Sequence, residues 1–147
     1  MPLLELQPVL SQISSISFHA HAICGALIIW IFSWLWHDFI VVKPWLRWTG
    51  MSLEEAQALH KGKLVQDLGL YLASKLALAY ACMFLALVLK VQDVTQALLL
   101  FLVISAGLVL PAGVGPVIFE KRHVGLWVLS SSLTSMSVLV VLMVQLI

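Results

Sequence analysis

The sequence predicts an all-α, polytopic integral membrane protein with four transmembrane helices, and three observations predict it. Of the 147 residues, 62% are apolar and 10% charged, against about a quarter charged in an ordinary soluble domain. The mean hydropathy is +1.06. The apolar residues also fall into runs of membrane-crossing length. A bilayer core about 30 Å thick takes about 20 residues of helix per crossing, so this chain holds about four with little left over. That composition excludes a soluble enzyme domain, and a net charge of +1 with no basic stripe excludes nucleic-acid binding.

The N-terminal M-P-L-L-E-L-Q-P offers no basic region ahead of an apolar run and no A-x-A site, so the first span is expected to be retained rather than cleaved as a signal peptide. Span one is expected over 18–42, broken only by Ser33 and by the pair His37 and Asp38, with Lys43 and Pro44 stopping it. Residues 43–67 form the strongly polar stretch of the chain. Within it Ser52 and Glu55 spell a capping box, Met51 is placed to staple onto Ala56, and Gly62 sits where a helix of about nine residues would end. A short interfacial helix is therefore expected in this loop. Span two, 68–89, carries one charge, Lys75, and the V-Q-D-V-T behind it is short enough to make spans two and three antiparallel neighbours. Span three, 95–119, contains P-A-G-V-G-P, and span four, 124–147, follows the turn E-K-R-H. The whole of 1–147 reads as one transmembrane domain.

Orientation follows from the cations, because short loops rich in Lys and Arg stay in the cytoplasm. Lys43, Arg47, Lys61, Lys63, Lys121 and Arg122 belong to the first and third loops, and the second loop has only Lys90. Both termini are thus expected on the outer side, with loop 43–67 cytoplasmic. Trp36, Trp45, Trp48 and Trp127 then become interface anchors, each burying its ring and wetting its N–H. Each hairpin turns inside through an acid, a base and a tryptophan (Asp38, Lys43, Trp45; Glu120, Lys121, Trp127). A parallel duplication and the ordinary bias of inner turns both account for this.

Lys75 is the most informative single residue, since a charge inside a span is costly unless it is paired or reaches water. It can snorkel past Tyr71 toward the interface, or it can join Asp38, Glu120 and His37 in a cluster that forms either an ion or proton pathway or a structural latch. Pro111 and Pro116, with Gly113 and Gly115, are expected to kink or unwind span three; broken helices of this kind mark binding sites in transporters, and simple kinked packing is the alternative. Ser130, Thr134 and Ser137, with Ser131 and Ser135 beside them, form a polar stripe suited to interhelical hydrogen bonds or to a pore wall. Ala73, Ala77 and Ala81 form a small-residue face, either a homodimer seam or an internal contact. Trp30 and Trp34 share a helix face with Leu27 and His37, as pocket lining or core packing. His19, His21 and Cys24 do not complete a metal set, His37 with His123 is a weak haem pair, and Cys24 and Cys82 lie in apolar runs as small apolar residues. No metal, cofactor or nucleophilic catalytic constellation is expected, and an enzyme ranks below the other readings.

Two stretches carry a family likeness: L-W-H-D-F-I-V-V-K-P-W-L-R-W-T-G-M-S, from Leu35 to Ser52, and V-I-F-E-K-R, from Val117 to Arg122, leading into the last helix. Together with the four-span layout they resemble the family of domain of unknown function 1761, whose first helix ends in a W-Y-S-P-like turn followed by K-x-W and G-[LM]-[ST]. Trp36, Lys43, Trp45, Gly50, Met51, Phe119 and Glu120 match that pattern, while His37 and Asp38 replace the usual Tyr-Ser. The resemblance implies a bacterial cytoplasmic-membrane protein and carries no established activity. The functional expectation is a small-solute or ion permease or channel, acting as a homo-oligomer in the lipid bilayer. The alternative is a non-transporting scaffold or accessory subunit that binds a protein partner through loop 43–67.

Overall fold

The computed structural model describes residues 7–147; the first six, and with them most of the N-terminal stretch read for a signal, lie outside the described residues. The elements are α1 (Gln7–Ile13), α2 (Ile16–Trp36), a first π turn (His37–Val41), α3 (Val42–Thr49), α4 (Leu53–His60), α5 (Leu64–Val88), α6 (Val94–Ile104), a second π turn (Ser105–Val109), α7 (Leu110–Phe119) and α8 (Val124–Val144). The chain is all-helical among the described residues, and four continuous helices are long and apolar enough to cross a membrane: Ile16–Thr49, Leu64–Val88, Val94–Phe119 and Val124–Val144.

Local chemistry sets the helix ends. The Ser15 hydroxyl accepts from the Phe18 amide at 3.2 Å and starts α2, and the Asp93 carboxylate accepts from the Gln96 amide at 2.9 Å and starts α6. His123 starts α8 by accepting the Gly125 amide on Nδ1 at 3.1 Å, which requires the neutral ring with its proton on Nε2. At the end of α5 the Val91 amide reaches the Ala86 carbonyl and the Lys90 amide the Leu87 carbonyl. This is a Schellman closure, with Lys90 left-handed at φ 55°. The capping box of α4 is complete: the Ser52 hydroxyl accepts from the Glu55 amide and the Glu55 carboxylate accepts from the Ser52 amide.

Three prolines leave their helices continuous. Lys43 and Pro44 do not end span one, which runs on to Thr49 and stops at left-handed Gly50 (φ 70°). Pro44 has no N–H for the Ile40 carbonyl and its ring crowds that group. The preceding turn widens instead, so that the Val42 amide bonds the His37 carbonyl five residues back. The region expected to be loop from residue 43 therefore begins as helix. Pro111 and Pro116 likewise do not unwind span three. The distortion lies one turn earlier, where the Leu110 amide reaches back to the Ser105 carbonyl, and Pro111 falls in the first turn of α7, where a missing N–H costs little.

Helix α8 is central: α2, α5, α6, the second π turn and α7 all pack on it, and α2 also lies along α5. Despite their short turn, α5 and α6 are not close-packed neighbours; they splay apart, and a groove opens between them. The apolar core collects in the half nearer the start of α2 and the end of α8. Its members are Ala22, Ala26 and Ile29 of α2; Ala79, Cys82, Met83 and Ala86 of α5; Ala97, Leu100 and Ile104 of α6; and Val138, Val141 and Leu142 of α8. Small residues on α2 and α5 allow the close approach there. In the other half, α3 and α7 bury none of their residues. This half ends in Lys43, Arg47, Lys121 and Arg122 and is called the basic end below.

Candidate functional site beside the central helix

The charged cluster expected from the sequence does not assemble. Lys75 is 6% exposed, and its Nζ lies 4.7 Å from the centroid of the Tyr71 ring. It sits eleven residues into α5, which begins at Leu64, so it is about 16 Å along the helix from that end. Glu120 pairs with Arg122 at 2.6 Å, and Asp38 lies 3.9 Å from its neighbour His37. Among the described residues no ion pair joins Lys75 to either acid. Glu120 caps the end of α7, and Asp38 lies in the π turn within the first span.

Two adjoining cavities occupy the flank of α8 instead. The larger, about 500 Å³, is the groove between α5 and the third span. Leu78, Ala81, Cys82 and Leu85 form one wall, Ile104, Leu108, Val109, Ala112 and Gly113 the other, and Ser130, Ser131 and Thr134 the floor. The smaller, about 280 Å³, lies at the basic end and includes His37, Val41, Trp45, Pro116, Arg122 and Trp127. Gly113 and Ser130 line both. Of the residues expected on a pathway, His37, Gly113 and Pro116 line one or both of these two cavities, and Lys75, Asp38, Glu120, Pro111 and Gly115 line neither of them.

The junction is tightly built. The Trp127 indole N–H donates to the Leu110 carbonyl at 3.1 Å and ties α8 to α7. A Cβ added at Gly113 would stand 2.8 Å from Trp127 Cδ1 and 3.2 Å from Ser131 Oγ, so only glycine admits the ring here. Trp127 therefore gives its N–H to an acceptor on the neighbouring helix. Trp36 departs from the anchor role, since its Nε1 is buried without a partner. Trp45 faces the smaller cavity, and Trp48 stacks on His123 with centroids 4.7 Å apart and planes 11° from parallel. Of the mid-span tryptophans, Trp34 is exposed and the Nε1 of Trp30 is buried without a partner.

The hydroxyl stripe on α8 bonds within its own helix rather than to another one. Ser130 donates to the Trp127 carbonyl, Thr134 to the Ser130 carbonyl and Ser137 to the Leu133 carbonyl. Such back-bonding is the local option open to a hydroxyl wherever no neighbouring helix presents an acceptor. Ser131 is 4% exposed and lies on the groove floor. Ala73, Ala77 and Ala81 are exposed, and the packed face of α5 is the one bearing Lys75, Ala79, Cys82, Met83 and Ala86.

At the opposite end His19 Nδ1 meets the Tyr80 hydroxyl at 3.1 Å, and His21 Nδ1 meets the Ser17 carbonyl at 2.6 Å. Both rings are thereby engaged in helix contacts. Sequence reading missed Arg122 as cavity lining and missed the α5 and π-turn walls, because splaying of α5 from α6 creates them. The recoverable signal was Gly113 with Trp127, a glycine in one helix and a large ring in the next. Compared with protein-family models, with curated proteins and with solved structures, the chain matches none.

Proposed function

We propose that this multi-pass chain is a permease subunit for a small solute, with its route along the flank of α8. The observation that carries the reading is the placement of the two cavities side by side at Gly113 and Ser130, a groove among the helices next to a chamber at the basic end. Hydroxyls on the groove floor and His37 and Arg122 in the chamber supply the polar contacts. The π turn and Pro111 keep the third span bent away from α5, so that the groove stays open. In this reading the termini lie outside, loop 43–67 lies in the cytoplasm with α4 at the interface, and the protein works as a homo-oligomer.

The test is osmotic swelling of proteoliposomes challenged with potassium chloride, sodium acetate or glycerol. Ser130 is exposed and stands at the junction, so Ser130→Leu is expected to fold and to abolish the swelling above protein-free vesicles, while Ser130→Ala preserves it. Equal swelling with wild type and Ser130→Leu overturns the route. A scaffold reading is favoured by one observation, that α3 and the described side chains of α4 bury nothing and leave Leu53, Glu54, Glu55 and Gln57 exposed. Absence of flux for every solute from a folded protein shifts the assignment to that reading, with loop 43–67 as the partner surface.

A further inference from the structure

We infer that the two cavities form one amphipathic binding site whose guest is a phosphate-bearing lipid, its anionic head in the smaller chamber and an acyl chain in the groove. The inference rests on the reading above that these cavities are the working site, and it names the class of molecule they take. Four observations carry it.

The chamber has the chemistry of an anion site. Arg122 meets Glu120 through its Nε at 2.6 Å, and its side chain is more than half exposed. A guanidinium fork matches phosphate oxygens in geometry as well as charge. His37 and the Ser130 hydroxyl line the same space, and Trp45 and Trp127 supply apolar walls. Glu120 is the opposing carboxylate, and it sits on the Nε edge of the guanidinium. Lys43, Arg47 and Lys121 at this end add positive potential. Basic pockets between membrane helices are where anionic lipid head groups are held.

The groove has the chemistry of an acyl-chain site. Leu78, Leu85, Ile104, Leu108 and Val109 dominate its walls, an apolar lining that matches a hydrocarbon chain. The two spaces also adjoin, with Gly113 and Ser130 lining both. One molecule with a charged end and an apolar end fills both without leaving either surface unmatched.

The dimensions agree. From Pro116 in the chamber to Ile104 in the groove is twelve residues of the third span, about 18 Å at 1.5 Å per residue. Half of a hydrocarbon core about 30 Å thick is about 15 Å, the depth of one leaflet. The head at the basic end and the chain toward Ile104 thus reproduce the placement of a lipid in its own leaflet. Finally, Ser131, 4% exposed, lies on the groove floor. An ester carbonyl just below a phosphate is an acceptor suited to it.

The experiment is native mass spectrometry of the full chain in a neutral detergent, titrated separately with phosphatidylglycerol, diacylglycerol and inorganic phosphate. Phosphatidylglycerol is expected to be retained about tenfold better than either of the others. Two variants separate the halves of the site. Arg122→Gln removes the head contact, and Ala112→Phe, at an exposed position on the groove wall, fills the acyl channel. Each is expected to lower phosphatidylglycerol retention about tenfold, with circular dichroism confirming that both remain helical. Retention of inorganic phosphate equal to that of the lipid identifies a free-anion site and overturns the proposal. Equal retention of diacylglycerol, or indifference to either variant, overturns it as well. The failures are distinguishable, since solute flux without lipid retention leaves the permease standing, and lipid retention without flux removes the permease and leaves the site.

Discussion

Lys75 shows how a buried cation is accommodated when no acid reaches it. Its ammonium lies 4.7 Å from the centroid of the Tyr71 ring, one helical turn back on the same face, and the ring's negative face offsets part of the cost of burial. The sequence offered two outcomes, a charged cluster and a snorkel past Tyr71 to the interface; in the structure the side chain leans toward the helix N-terminus and stops over the ring, 6% exposed, with no acid beside it among the described residues. Tyr71→Leu should therefore destabilise the protein by about 1–2 kcal/mol, the range of a desolvated cation–π contact. In a Lys75→Met background the same change should cost close to nothing. A double-mutant cycle on thermal unfolding in detergent measures the difference, and equal costs in both backgrounds would show that the ring does not hold the cation.

At the scale of elements, local sequence was most legible where a short side chain meets a helix end. Ser52 and Glu55 were readable as a capping box without any tertiary information, because both hydrogen bonds close within one turn. The Glu55 carboxyl is held below its usual value, first by the Ser52 amide that it accepts and next by the Ser52 hydroxyl. A lowered folded-state value means that the contribution is complete above the unfolded pKa, near 4.5, and is lost as the pH falls through the folded one. Amide exchange in α4 is thus expected to quicken below about pH 4.5, and Glu55→Gln, which keeps a capping acceptor, should remove that pH dependence. Prolines were less legible. Pro44 and Pro111 marked places where the i−4 hydrogen bond fails, yet whether the helix stops, unwinds or widens into a π turn depends on whether the next turn can still be bonded. At both sites it is, through the Val42 and Leu110 amides.

For the whole molecule, the asymmetry of the bundle matters most. The apolar core lies in one half, and the groove runs from Cys82 and Ile104 of that core toward the chamber at the basic end. Exposed Ala73, Ala77 and Ala81 on α5 leave a small-residue face free for a second copy. Ala77→Cys in vesicles is expected to give a disulfide-linked dimer on mild oxidation, and failure to cross-link would remove that seam from the homo-oligomer reading. The sequence by itself determined that the chain is helical, that four stretches are long and apolar enough to cross a membrane, and where capping residues begin α4. Those are properties of length, hydropathy and contacts within a turn, which act before any helix meets another. Only the tertiary structure decided that α8 is central, that α5 and α6 part after a short turn, that Lys75 is kept from Asp38 and Glu120, and that Gly113 and Trp127 interlock beside two adjoining cavities. Hydropathy cannot rank these arrangements, because in a bilayer most helix faces are equally apolar and the choice among them falls to side-chain shape and to where each helix bends.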